Sequence, residues 1–404
     1  MKKNNILISA YCVDKNDVGE ARMAYEWIVR LAEKVNLTVI TAGSRIHENC
    51  GLEDNSNVDL VLLKPRLSFK WFDAFDRAVH PGYVEFFFRA KKIVPQIIKQ
   101  KKIDLCHHLA PRSLRYPAPF INSDVPFIVG PFHGGLTPPA IMKELGQTES
   151  LLFSMRGLDN LRMKYDPILK LHYRKAARLI VSAPYVADLL LPACQNRTRV
   201  IYGVGIDSKD VIDSYQRAED DTVKMVFVGR LEPSKGLELL LYAIAEIQSK
   251  NVNLAVYGKG NYGDRYKKLA CDLGINDKIQ WVGFKSNVEV VKSYQQKDIF
   301  VLPSLKEPAG IAVIEAMASG LPVICVDAGG PAYSVSEDCG VKVPLGNKKY
   351  MINNLAVAID RLVSNRDKRI EMGRNAIQRV RQEFTWDVVI QKMLNLYDEV
   401  INEK

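Results

Sequence analysis

Two short segments in the second half of the chain carry residue types that suit one chemistry. Phe227-Val228-Gly229-Arg230-Leu231-Glu232-Pro233-Ser234-Lys235-Gly236 follows an apolar run and precedes a helical one. A glycine-bearing turn and two cations therefore fall at the carboxyl end of a strand, where open α/β sheets bind ligands. Arg230 and Lys235 are placed to reach a diphosphate, although an isolated Arg or Lys is more often an ordinary surface cation. The second segment shifts that balance. Leu302-Pro303-Ser304-Leu305-Lys306-Glu307-Pro308-Ala309-Gly310-Ile311 runs into an apolar helical stretch that ends before Val323. Glu307 lies in the strand-to-helix turn, and Glu315 lies eight positions further along, on the helix. Gly310 at the helix start permits close backbone approach, and free N–H groups with the helix dipole favour an anion there. A phosphate at the helix start with hydroxyls at the carboxylates describes a sugar nucleotide.

The elements that must hold these residues are legible as short apolar runs alternating with helix-period segments, the pattern of parallel sheets flanked by helices. In the first half strands are predicted at 5–10, 37–41, 58–63, 104–107, 127–129, 179–182 and 198–201, with helices at 20–34, 83–100 and 165–177. In the second half strands are predicted at 224–228, 253–257, 278–282, 298–302, 322–326 and 340–343, with helices at 237–249, 265–272, 287–295 and 311–319. Ser286 and Glu289 form a capping-box pattern for the third of these helices. From Lys348 the chain reads as helical to its end, with a break at Phe384-Thr385-Trp386. Length favours two domains. The expected division is an acceptor-side domain at 1–205, a polar, acidic linker at 206–222, a nucleotide-sugar-binding domain at 223–385, and a C-terminal helix at 386–404 that can cross back to the first domain.

In order and spacing these motifs resemble glycosyltransferase family four, whose architecture is GT-B. The resemblance is strongest over residues 222–340, through Phe227 to Gly236, Trp281-Val282-Gly283-Phe284, and Glu307 to Val323. It continues more weakly through Ser9-Ala10, Gly19-Glu20, Asp104 to His108, and Pro126 to Gly135. It implies an α/β fold of two facing Rossmann-like domains with a cleft between them and a helical C-terminus. It further implies a retaining transferase that moves a sugar from a UDP- or GDP-sugar to a saccharide or lipid-linked acceptor, in bacterial cell-surface polysaccharide synthesis. By resemblance, Arg230 and Lys235 match the cationic pair on the donor diphosphate, Glu307 the glutamate facing the transferred sugar, and Glu315 the one holding the ribose. Ala309, Gly310 and Ile311 match the phosphate and sugar cradle. Gly258, Gly260, Phe284 and Lys285 match the neighbourhood of the nucleotide, and a plain turn is the alternative for the two glycines. Two positions depart from the family: Ala309 stands where Phe or Tyr is usual, and Gly19 alone remains of a glycine pair.

His133, between Phe132 and Gly134-Gly135, is assigned a place facing the donor sugar from the opposite domain, with a structural role as the alternative. Of adjacent His107 and His108, one is assigned to packing and the other kept open for the cleft, while His47, His80 and His172 are left as surface or local contacts. No Asp-x-Asp pair occurs, so no metal and no cofactor are expected, and departure of the diphosphate falls to Arg230, Lys235 and the helix start. A nucleotide-sugar epimerase and a non-catalytic partner subunit of a transferase remain alternatives. No strand leads into a Gly-x-Gly-x-x-Gly loop with an acidic residue after the next strand, as a dinucleotide oxidoreductase would need.

Seven scattered cysteines suggest neither a disulfide framework nor a zinc site, and point to a reducing, cytoplasmic setting. The net charge of +10 is uneven: residues 1–200 hold 29 Lys and Arg against 19 Asp and Glu, whereas residues 201–404 hold 27 of each. Nucleic acid is not expected, because no zinc-finger spacing or RNA-binding signature accompanies the charge. An anionic acceptor or an anionic membrane surface fits the charge as well. Phe69, Trp71, Phe72, Phe75, Tyr83, Phe86, Phe87 and Phe88, interleaved with Lys70, Arg77, Arg89, Lys91 and Lys92, suit a peripheral membrane contact, with an ordinary helix-packing face as the alternative.

Overall fold

A computed structural model describes residues 3–17, 19–64, 81–146, 165–214, 221–249 and 251–403. The chain forms two compact units. Unit 1 comprises Met1–Gly135, Glu149–Gly203 and Val389–Lys404; unit 2 comprises Leu136–Thr148 and Val204–Val388.

Unit 1 is built on seven strands: β1 (Asn5–Ala10), β2 (Asn36–Thr41), β3 (Val58–Leu62), β4 (Leu105–Ala110), β5 (Phe127–Phe132), β6 (Arg178–Val181) and β7 (Thr198–Val200). They are ordered β3-β2-β1-β4-β5-β6-β7 and every pairing is parallel. The chain runs outward from β1 to β3 and returns beside β1 as β4, which puts the topological switch point between β1 and β4. β4, β5 and β6 are buried along their whole length, as expected of central strands covered on both faces. Helix α1 (Glu20–Ala32) buries Ala21, Ala24, Trp27, Ile28 and Leu31, the three- and four-residue spacing of one helical stripe. Helix α2 (Pro81–Lys101) buries Tyr83, Phe86, Phe87, Ala90 and Val94, and α3 (Pro167–Lys175) is started by Asp166, whose carboxylate accepts from Ile168 N and Leu169 N.

Unit 2 carries six strands: β8 (Val223–Val228), β9 (Val252–Tyr257), β10 (Ile279–Gly283), β11 (Ile299–Leu302), β12 (Val323–Val326) and β13 (Gly340–Val343). The order is β10-β9-β8-β11-β12-β13, again all parallel, with the switch point between β8 and β11. Its helices include α4 (Leu237–Glu246), α5 (Gly263–Asp272), α6 (Asn287–Tyr294), α7 (Ile311–Ala318), α8 (Gly329–Ser334), α9 (Lys348–Val363), α10 (Arg366–Glu383) and the start of α11 (Trp386–Asn402), besides a single turn at Ile141–Glu144.

From Val389 onward α11 groups with unit 1. Tyr397 is fully buried there and donates to His107 Nδ1 at 2.7 Å, while His107 Nε2 donates to Gly130 O at 2.7 Å. Arg178 pairs with Glu399 at 2.7 Å and also with Glu403, and Asn4 donates to Asp398 at 2.8 Å.

Several sequence expectations need correction. His107 and His108 are both interior; burial lowers His107 to about 4 and His108 well below the usual histidine range, so neither keeps an open role at an edge. His172 is fully buried, accepts from Ala118 N at 3.1 Å and stacks on Phe127, which makes it a core residue. Tyr83, Phe86 and Phe87 lie in the core of unit 1, and Phe88 is the exposed ring of that stretch. Apolar rings at helical spacing here face the sheet, so they are withdrawn from the membrane-contact reading. Phe69, Lys70, Trp71, Phe72, Phe75, Arg77 and His80 lie outside the described residues. Within the segment expected as a linker, Ile206 bridges Thr385 and Ser208–Asp210 forms a 3-10 turn. Helix α8 has no counterpart in the sequence reading, since its opening Gly-Gly-Pro resembles a turn. The helical tail also breaks once more than expected, at Asn365, whose side chain accepts from Lys368 N and starts α10.

Candidate functional site

In unit 2 the loops after β8 and β11 meet at the switch point, and glycines make the meeting possible. Gly236 has φ +71°, and a Cβ there would lie 2.0 Å from Pro303 O. Gly258 likewise admits Gly229 O, which a Cβ would approach to 1.9 Å. Leu305 N and Ser304 Oγ both donate to Ser234 O, at 2.8 and 3.1 Å. This stitching brings Lys235 Nζ to Glu307 Oε2 at 2.5 Å.

Glu307 is fixed from three sides. Its second oxygen accepts from Gly310 N at 3.1 Å, and its backbone carbonyl accepts from Gly330 N at 2.9 Å. Gly329 and Gly330 press against the Glu307 and Ala309 carbonyls at distances that leave no room for a side chain. Gly310 is left-handed and opens α7, with Ile311 half-exposed as its first residue. One ammonium, one carboxylate and one helix start thus share a small volume, each over the carboxyl edge of the sheet.

Arg230 is not part of that contact. It is 71% exposed and pairs with Glu232 at 3.0 Å, so its guanidinium stands in water at the same edge. Glu315, on α7, accepts from Asn287 Nδ2 at 2.8 Å. Burial raises its carboxyl to about 7, with the Asn287 hydrogen bond pulling the other way. Asn287 lies inside the capping box that Ser286 and Glu289 form as expected; the box was legible in the sequence, its delivery of Asn287 to Glu315 was not. Phe284 is 67% exposed with Lys259 Nζ 4.9 Å from its ring centre, and Lys285 pairs with Glu289 at 3.3 Å. Gly260 packs against Leu231 O.

In unit 1, Gly19 caps α1 at φ +72°, with no atom within 4 Å of a Cβ built there. The Glu20 carboxylate accepts from Arg112 N. Arg112, which sequence reasoning did not single out, donates through Nη1 to His133 Nε2 at 2.7 Å and to Gly203 O at 2.9 Å. Trp27 Nε1 donates to the same carbonyl at 2.9 Å. Burial and then the neighbouring Arg112 charge hold His133 well below the usual histidine range, so the imidazole is neutral. Arg112, lowered by burial to about 10, keeps its charge at neutral pH.

Residues 208–379 match the family model described as glycosyl transferases group 1. Among curated proteins, an uncharacterized glycosyltransferase of Methanocaldococcus jannaschii is 32% identical over 181 residues, 44% of this chain and 45% of that protein. D-inositol 3-phosphate glycosyltransferase of Corynebacterium efficiens is 31% identical over 185 residues, 43% of this chain and 42% of that one. The chain therefore spans less than half the length of these relatives. The fold extends further: sucrose-phosphate synthase of Thermosynechococcus elongatus superposes over 100% of both chains with a TM-score of 0.69 at 20% identity. Two Rossmann-like units of the GT-B fold account for that likeness, and residues 208–379 are similar to the glycosyl transferases group 1 family.

Proposed function

We propose that this chain is a metal-independent, retaining glycosyltransferase that moves a hexosyl group from a UDP- or GDP-sugar to a saccharide or lipid-linked acceptor in cell-surface polysaccharide synthesis. The observation that carries the reading is the Lys235–Glu307–Gly310 constellation at the switch point of unit 2. In this reading Lys235 and Arg230 bear on the donor diphosphate, together with the N–H groups around Ala309, Gly310 and Ile311. Glu307 faces the transferred sugar, and Glu315 receives the ribose hydroxyls. Phe284, with Gly258, Gly260 and Lys285 nearby, serves the base. In unit 1 the role assigned to His133 is with the donor sugar, and Gly19 is assigned to the donor as well.

The chemistry follows from charge. As the sugar–phosphate bond breaks, negative charge gathers on the leaving diphosphate, and fixed cations and helix-end N–H groups lower the energy of that state more than of the ground state. The acceptor hydroxyl attacks on the face the phosphate leaves, and the departing phosphate oxygen takes its proton. Arg230 is already solvent-facing, so binding a diphosphate replaces a weak surface pair with Glu232.

A thermal-shift panel of nucleoside diphosphates tests the donor assignment. A product at 100 times its dissociation constant stabilises a folded protein by about 2.7 kcal/mol. A clear rise in Tm with UDP or GDP is expected, and no response to either would remove the reading.

A further inference from the structure

Arg112 has unused donors. Its side chain is 4% exposed. Nη1 makes both of its hydrogen bonds, whereas Nε and Nη2 are shielded from solvent and have no partner among the described residues. A guanidinium only donates, so His133 Nε2 must accept, and the imidazole proton sits on Nδ1. That nitrogen is also buried and unpartnered. Three shielded nitrogens, two of them on the cationic guanidinium, thus have N–H groups that lack an acceptor. The Glu20 carboxylate accepts from the Arg112 backbone N–H, and its charge favours the guanidinium without hydrogen-bonding to Nε or Nη2. Buried donors without acceptors are costly, and such groups call for a partner.

The place is one where a ligand belongs. Arg112 follows β4, His133 follows β5, Ser182 follows β6, and α1 begins after β1, so the donors gather at carboxyl ends on the switch-point side of the first sheet. Helix α1 has 13 residues and no side chain capping its start. Gly19 and Gly134, both at positive φ, have no atom within 4 Å of where a Cβ would be, leaving backbone open beside it.

We propose that Arg112 is the anchor of an oxyanion-binding site in unit 1, and that the oxyanion is a phosphate carried by the acceptor. Nε and Nη2 form a fork that matches two phosphate oxygens, and the His133 and Gly203 contacts hold the fork in place. The site itself stands on unit 1 alone; only the source of the phosphate rests on the transferase reading.

The test uses the full chain with inorganic phosphate against chloride at equal ionic strength, a hexose phosphate against the free hexose, and a nucleoside diphosphate. Wild type should bind phosphate and hexose phosphate but not the free hexose. Arg112→Gln should weaken both by roughly 10- to 100-fold, leave the nucleoside diphosphate unchanged, and Arg112→Lys should fall between. If Arg112→Gln does not fold, Arg112→Lys carries the comparison. Equal weakening of the nucleoside diphosphate would overturn the acceptor assignment in favour of the donor. No phosphate response in wild type, or an unchanged one in a folded variant, would overturn the site. Phosphate binding without sugar transfer would retain the site and remove the transferase reading.

Discussion

At the scale of single residues the two glutamates are in different electrical settings, and that difference separates their roles. Glu307 is paired with Lys235 at 2.5 Å, whereas Glu315 has one amide partner and a carboxyl raised to about 7 by burial. A residue that faces the reacting sugar acts on the barrier, and one that holds ribose acts on binding. Glu307→Ala should therefore mainly lower kcat. Glu315→Ala should mainly raise the donor KM, by an amount in keeping with the ~1.5–3 kcal/mol of a charged hydrogen bond; steady-state kinetics on both variants would expose a reversed assignment. The pH dependence has a fixed sign. Because the folded carboxyl of Glu315 titrates near 7 and its unfolded one near 4.5, the stability linked to its proton is full below about pH 4.5 and is lost as pH rises through 7. Ribose hydroxyls favour the ionised form, so donor affinity should strengthen over that same rise. Donor titrations from pH 6 to 8 should show this in wild type and a flattened profile in Glu315→Gln.

At the scale of elements, the switch-point loops of unit 2 depend on residues without side chains. Gly236→Ala would place a methyl on the Pro303 carbonyl at a left-handed residue, a strain of about 1–3 kcal/mol. It should lower Tm and, by parting Lys235 from Glu307, lower turnover further than the stability loss accounts for. Normal kinetics in that variant would count against the pair as a working unit. The strands were legible because buried parallel strands are written as short apolar runs, and Asn5–Ala10 and Gly340–Val343 match their expected spans. Glu307, Gly310 and Glu315 were legible because local order fixes turn and helix. What was hidden depends on contacts distant in sequence: Arg112 with His133 and Gly203, and Asn287 with Glu315. The grouping of Leu136–Thr148 with unit 2 is of the same kind, since Glu144 accepts from Lys348 N at 3.3 Å.

At the scale of the whole molecule, the basic excess of residues 1–200 stands apart from Tyr83, Phe86 and Phe87, which belong to the core. No helix among the described residues is long and apolar enough to cross a membrane. Charge alone can still hold a protein at an anionic surface, at about 1 kcal/mol per Lys or Arg close to the lipid. Sedimentation with vesicles should show binding to anionic and not neutral lipid, weakening with salt and falling when Lys91 and Lys92 become Glu. Equal recovery with both vesicle types would instead favour an acceptor free in solution.

The central claim is sugar transfer driven by the cations of unit 2, and the most direct measurement is product analysis with purified protein and a nucleoside-diphosphate sugar, with and without a saccharide acceptor. The account predicts nucleotide release coupled to a new glycoside of retained anomeric configuration. It also predicts that turnover falls by roughly 10²- to 10³-fold in folded Arg230→Ala and in Lys235→Ala. An epimerised donor formed without acceptor, or undiminished transfer by both folded variants, would contradict it.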